Sequence, residues 1–419
     1  MRAMRAEGFN GYQDLKPTDI ASPSLSEGRA LVRMTAAGVA PLDHTILSGQ
    51  FPMAKAPLVL GNEGAGVVEA GGTPEYPKGS RVMFTGPYGV FEKGTLSELV
   101  AIQTEHLSLV PDNINDTAAA GLPVAYLTAF LVLKAAGFEA GKTVLAPAIG
   151  GSVGNAATQL ARALGAKHAI STTTSHAKAE EAKKRGFSEV IDLSEERLAE
   201  GVRRLTDGYG ADIVVDGVGG QILSEALEIL APDGSLTTLG YAASRKTTID
   251  VTNLIWKGAS IKSFMLFSQP LSARSDAWKT ISELLGSGRV EPIVAKTFPL
   301  EDAASALRYL IEGRPSAASS SRSEPVTGTI GGPLDQIAAR LKVVLRSSRG
   351  SGHHQRCVSL RTRITELFGI KHPIIQAGSC GMVVAGLTRD ISTCKQLTDG
   401  IMKGAEEIIS RRLGALLAA

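Results

Sequence analysis

Cysteine is almost absent from this chain of 419 residues: there are three, and none precedes Cys357. The long stretch before it can therefore hold neither a disulfide nor a thiolate-bound metal. Long apolar runs are missing too. Nothing approaches the ~18–20 consecutive apolar residues of a membrane span. The opening MRAMRAEGFNGYQ lacks the apolar segment of a secretory leader. Nor is there a strong charge of either sign, since 44 basic residues face 41 acidic ones for a net charge of +3. That argues against a nucleic-acid partner or an anionic membrane surface. These absences leave a cytoplasmic location as the expectation.

What is present suits an α/β protein with many tight strand–helix turns: 43% hydrophobic residues, 20% charged and 46 glycines. Six short runs, at 143–148, 167–173, 189–192, 211–216, 235–240 and 260–266, are separated by helical stretches. Such runs predict buried parallel strands with crossovers, a doubly wound six-stranded sheet. Residues 1–122 hold shorter strand-like pieces broken by Gly and Pro, the texture of a mostly-β domain. The stretch 301–312 carries Ala304, Leu307, Leu310 and Ile311 at helical spacing, so it predicts an amphipathic helix. At Ser316 the texture changes to SAASSSRS, low in complexity and without a periodic apolar face.

The strongest local signal is 144–162, VLAPAIGGSVGNAATQLAR. A β-run leads into Gly150, Gly151, Ser152, Val153 and Gly154, and a helix follows. Glycines let the backbone approach a pyrophosphate, and the free N–H groups at the helix start favour its charge. Gly151 and Gly154 fall in the register of the dinucleotide-binding fingerprint, while Ile149 stands where its first glycine would be. The end of the second sheet strand chooses the nicotinamide cofactor. An NAD site places an acid there for the ribose hydroxyl. Here Thr172, Thr173, Ser175 and Lys178 occupy the region, with no acid before Glu180. Hydroxyls and a lysine suit a 2′-phosphate, so NADPH is the expected cofactor.

Residues 1–315 resemble the medium-chain dehydrogenase/reductase superfamily, in its zinc-independent quinone-oxidoreductase branch. The resemblance rests on 36–49 (AAGVAPLDHTILSG), 57–72 (PLVLGNEGAGVVEAGG), 94–102 (GTLSELVAI), 121–133 (GLPVAYLTAFLVL), the glycine turn, 207–220 (DGYGADIVVDGVGG) and 301–315. It implies a GroES-like catalytic domain from 1–122 and 268–315 around an inserted Rossmann domain at 123–267, and a homodimer. Zinc enzymes of the superfamily hold their metal with Cys, His and Cys. In this register the chain has Ala40, Asn62 and a cysteine-free 122–126, with Asp43, His44 and Glu63 nearby. Ala and Asn cannot replace thiolate and imidazole, so no metal is expected.

Without a Lewis acid, alcohol oxidation loses its means of stabilising an alkoxide. Reduction of a quinone or an α,β-unsaturated carbonyl asks less, because orientation and a dry cleft suffice once the cofactor is bound. The resemblance implies cofactor contacts from Asp43, Thr128, Val218, Gly219, Gly240 and Tyr241. It implies a nicotinamide and substrate cleft lined by Phe264, Leu266 and Phe267. Tyr88, Tyr126 and Tyr241 are the candidate proton donors. The alternative reading is a nicotinamide-binding redox sensor or structural protein without turnover.

Two pieces of the tail, 361–378 and 386–417, resemble the start and end of a nitronate monooxygenase with the interior missing. In the reductase family a closing strand follows the helix that ends EGRP. A strand resembling FGRVVLTL and its stop, written in GC-rich codons and read one base out of frame, becomes SAASSSRSE, the sequence of 316–324. The tail 316–419 is therefore expected to be an irregular product of a frame change, poorly ordered and without a flavin site.

Overall fold

The computed structural model describes residues 1–313. All of the described residues belong to one compact unit. The expectations for 316–419 lie outside the described residues.

The chain opens with eight strands: β1 (Arg2–Ala6), β2 (Leu15–Asp19), β3 (Arg29–Gly38), β4 (Leu58–Val59), β5 (Glu63–Ala70), β6 (Arg81–Thr85), β7 (Leu99–Gln103) and β8 (Leu107–Leu109). They form an antiparallel five-stranded sheet in the order β7-β3-β5-β6-β8 and a three-stranded sheet in the order β2-β1-β4. Helix α1 (Pro41–Leu47) sits between β3 and β4, and α2 (Asp116–Ala120) follows β8. Asn115 caps α2, accepting from the Ala118 N–H at 2.9 Å.

The six predicted runs form one parallel sheet. Its strands are β9 (Thr143–Ala146), β10 (His168–Thr173), β11 (Val190–Asp192), β12 (Ala211–Asp216), β13 (Leu230–Thr238) and β14 (Ser260–Ser263), in the order β11-β10-β9-β12-β13-β14. The order reverses between β9 and β12, and ligands of such sheets bind outside the carboxyl ends of the strands at that point. Helices α3 (Pro123–Ala135), α4 (Ser152–Ala163), α5 (His176–Lys184), α6 (Leu198–Leu205), α7 (Gly220–Glu228), α8 (Thr252–Ile255) and α9 (Leu271–Gly286) accompany it. The strands alternate between two cores. Val144, Ala146, Ile213 and Val215 meet α3, α4 and α9 on one face. Leu145, Val214 and Leu236 meet α6 and α7 on the other. The central strands β9 and β12 are buried on both faces, which is why their runs read as continuous rather than alternating.

One strand begins earlier than its predicted run: the run is read at 235–240, yet β13 starts at Leu230 and passes through 231–234 (APDG). Asp233 takes a left-handed φ of 59° and the register with β12 shifts between Ala211 and Ile213. A bulge absorbs the turn residues and the strand continues.

The last described helix, α10 (Ala303–Ile311), returns to the first lobe. Its Ala303 and Leu307 are buried with Met4, Ala6, Leu15, Ile46 and Leu47. Glu301, just before it, pairs with Arg2 at 2.6 Å.

Candidate active site

The glycine turn joins β9 to α4 as the spacing predicts. Gly151 is the N-cap of α4 and offers no side chain, so the N–H groups of Ser152, Val153 and Gly154 have no acceptor among the described residues. Gly154 is sterically required: a Cβ there would stand 2.4 Å from the carbonyl oxygens of both Pro147 and Ala148. At Gly151 the nearest backbone atom would be 3.3 Å away. The missing first glycine is explained by Ala148, which adopts φ 68° itself and makes the turn. Ile149 then turns inward against Ala182, Phe187 and Val190. An uncapped helix start behind a narrow glycine turn fits a dinucleotide pyrophosphate.

The adenosine end is more crowded than the sequence implies. Thr172 Oγ1 accepts from the Ala148 N–H at 3.0 Å, and the Thr172 carbonyl accepts from Ile149 at 2.8 Å. Thr172 therefore braces the turn instead of facing a phosphate. Thr173 is buried, and its carbonyl accepts from the Leu193 N–H. Ser175, the N-cap of α5, makes no side-chain capping bond and is half-buried, as is Lys178. The acid that the spacing rule looks for is absent from β10, but Asp192 at the end of β11 lies beside the site. It contacts His176 Nδ1 at 3.2 Å and accepts from Ser194. Sequence reasoning missed it because it comes from the neighbouring strand.

At the ends of β12 and β13, Asp216 organises the backbone. Its Oδ1 accepts from Val218 and Gly219 N–H at 2.9 and 3.0 Å, and its Oδ2 from Thr238 Oγ1 at 3.1 Å. Gly219, at φ 71°, lies so close to the Ser244 carbonyl that a Cβ would be 2.5 Å from it. A cavity of about 300 Å³ opens here, lined by Gly219, Gly240, Tyr241 and Arg245 among others. Arg245 lies over the Tyr241 ring, 5.0 Å from its centroid, and donates to Gln50 Oε1 of the first lobe at 2.5 Å.

The three tyrosines part company. Tyr241 is 47% exposed at this cavity. Tyr88 is fully buried, edge-on to Phe84, with its hydroxyl accepting from the Gln103 N–H and bonded to His106 Nδ1, both at 2.9 Å. Tyr126 is buried between α3 and α4 with Gln159 Nε2 at 3.4 Å. Burial pushes both phenols well above their ordinary range. Of the three, Tyr241 alone lines this cavity, and the other two are enclosed by protein. Leu266 also belongs to the main core, with Phe264 and Phe267 half-buried against it. Thr128 on α3 is buried, and its hydroxyl has no hydrogen-bond partner among the described residues.

Asp43 is buried, and its two oxygens accept from Ala40 N–H at 2.8 Å and Gly61 N–H at 3.0 Å, tying the start of α1 to the turn before β5. Glu63 Oε2 accepts from Val124 N–H in the first turn of α3 at 2.7 Å. Desolvation raises Asp43 to about 6 and Glu63 to about 8.

Two families match this chain: the alcohol dehydrogenase GroES-like domain over residues 26–112 and the zinc-binding dehydrogenase domain over 152–286. A quinone oxidoreductase of Pseudomonas aeruginosa is 34% identical over 305 residues, covering 70% of this chain and 90% of that one. The chain belongs to the quinone-oxidoreductase-like medium-chain dehydrogenases/reductases. A 2-haloacrylate reductase of Burkholderia is 31% identical over 299 residues, 68% of this chain and 87% of that protein. The crystal structure of Escherichia coli quinone oxidoreductase complexed with NADPH superposes with a TM-score of 0.67 at 26% identity, covering 75% of this chain and 99% of that one.

At the register where zinc enzymes of the superfamily carry thiolate and imidazole, this chain has side chains that do not bind zinc. Ala40 offers a methyl group and Asn62 a carboxamide. Asp43 is spent on backbone N–H groups, and His44 Nδ1 is bonded to Tyr12 at 3.0 Å. Among the described residues, His176, Asp192 and Glu195 alone bring three potential donors within 4.8 Å of one another. They lie on the nucleotide side, at the ends of β10 and β11.

Proposed function

We propose that this family member reduces quinones or α,β-unsaturated carbonyls with NADPH, needs no metal, and works as a homodimer. The observation that carries the reading is the pairing of an uncapped glycine turn with the donor-poor positions Ala40 and Asn62. Bound NADPH supplies the hydride.

The protein's part is to bind, orient and exclude water. The N–H groups of Ser152, Val153 and Gly154 receive the pyrophosphate. Ser175 and Lys178 receive the 2′-phosphate. Thr128, Val218, Gly219 and Gly240 bound the nicotinamide half, and Phe264 and Phe267 give the cleft an apolar wall. Tyr241 is the tyrosine left to hold the proton that the reduced product takes up. The homodimer forms through β14, a sheet edge flanked by the exposed Ile255, Trp256, Ile261 and Met265.

A panel of quinones, enals and enones, each mixed with NADPH and with NADH, tests the reading through loss of nicotinamide absorbance. NADPH-linked reduction that survives chelator treatment is expected. Oxidation of ethanol or benzyl alcohol, or zinc whose removal abolishes activity, overturns it. Cofactor binding with no absorbance change for any acceptor makes the protein a non-catalytic nicotinamide binder.

A further inference from the structure

Asn62 carries a buried side chain with nothing to do inside the protein. It is 2% exposed, its Oδ1 is enclosed without a partner, and its carboxamide makes no hydrogen bond to any described residue. Only its backbone carbonyl is engaged, accepting from Thr85 Oγ1 at 2.8 Å. Neighbouring polar groups are engaged elsewhere: Asp43 takes the N–H groups of Ala40 and Gly61, Glu63 Oε2 takes that of Val124, and Thr95 Oγ1 donates to the Glu63 carbonyl. Leaving a buried amide unpaired opposes folding, and an apolar side chain of the same shape would avoid that. An unpaired buried group of this kind calls for an explanation, and a ligand that arrives later supplies one.

Its place in the fold indicates what arrives. Asn62 lies between β4 and β5, one residue before Glu63, whose carboxylate reaches the first turn of α3. One turn along that helix from Val124, on the same face, stands Thr128, the other buried polar group here without a protein partner. Glu63 thus ties the segment that carries Asn62 to the helix that carries Thr128.

We propose that the Asn62 carboxamide donates a hydrogen bond to the carbonyl oxygen of the acceptor substrate. This rests on the reductase reading above. The oxygen of a quinone or enone gains negative charge as the molecule is reduced, and a donor already in place and shielded from water stabilises that charge without reorganising. Only Oδ1 is enclosed; the NH₂ end is the end of the amide open to an arriving oxygen, and it carries the donors.

Asn62→Leu and Asn62→Ala test the assignment. With menadione and NADPH, kcat should fall about a hundredfold to a thousandfold, as when one oxyanion donor is removed. The NADPH dissociation constant should hold, and the thermal midpoint of Asn62→Leu should hold or rise. A residue held for structure would behave in the opposite way. Independently of turnover, the carbonyl stretch of bound benzylideneacetone should lie at lower frequency in the wild type than in Asn62→Leu. Unchanged kcat, equal carbonyl frequencies, no binding of the enone to the wild type, or loss of NADPH binding in both variants overturns the proposal. A wild type that binds the enone but reduces no acceptor overturns the reductase reading, and the carbonyl frequencies still decide for or against Asn62.

Discussion

Glu63 and Asp43 keep protons that the unfolded chain would already have released. With folded values raised to about 8 and about 6, both stay protonated across a range where free carboxyls ionise. The folded state thus binds more protons than the unfolded state between roughly pH 4.5 and 8, and stability must fall as pH rises through that window. Thermal midpoints should decline from about pH 5 to about pH 8. Glu63→Gln keeps an acceptor for Val124 and should flatten most of the slope. An unchanged slope in that variant would remove Glu63 from the account. Lys178→Ala tests cofactor choice: a charge-assisted contact is worth about 1.5–3 kcal/mol, so NADPH should bind roughly tenfold to a hundredfold more weakly while NADH binding holds. Equal weakening of both would show that Lys178 is not a phosphate ligand. At this scale the sequence was a partial guide. Tyr88, Tyr126 and Tyr241 look alike on paper, and only burial separates two enclosed residues from one at a cavity. Asn62 was visible merely as a non-ligand, because its lack of a partner is a property of its surroundings.

The β9–α4 turn shows how much more legible an element is than a side chain. Its order of strand, glycines and helix follows from local geometry, and so it was readable, as were all six parallel strands. The departure at Asp233 was not, since a bulge needs a partner strand whose register can shift. The two aligned glycines should fail differently when given a methyl group. Gly154→Ala drives a Cβ into two carbonyl oxygens and should destabilise the fold by about 1–3 kcal/mol, read as a lowered thermal midpoint. Gly151→Ala meets backbone only at 3.3 Å and should fold nearly as well. It narrows the approach to the helix start, however, and should weaken NADPH and NADH alike. If Gly151→Ala binds both cofactors normally, the pyrophosphate does not sit on this turn.

For the whole molecule, the β14 edge of the parallel sheet is the feature that bears most directly on assembly in solution. Trp256 is 81% exposed and Ile255 71%, beside a strand whose outer backbone groups have no neighbour among the described residues. Sedimentation equilibrium should report a dimer, and Ile261→Lys with Trp256→Ser should shift it toward monomer while leaving NADPH affinity intact. A monomeric wild type would refute the edge-to-edge assembly. This too could be read from sequence only through resemblance, because an edge is defined by what does not pair with it.

The return of α10 to the first lobe bears on how the chain is made. Met4, Ala6 and Ile46 emerge from the ribosome early, yet Ala303 and Leu307, which help bury them, come last among the described residues. Closing so long a loop is entropically slow compared with closing the β9–β14 sheet, whose strands follow one another directly. During synthesis the β9–β14 sheet can complete its pairing while the first lobe still waits with apolar surface uncovered. That interval is when the nascent polypeptide is most exposed to aggregation and most in need of a chaperone.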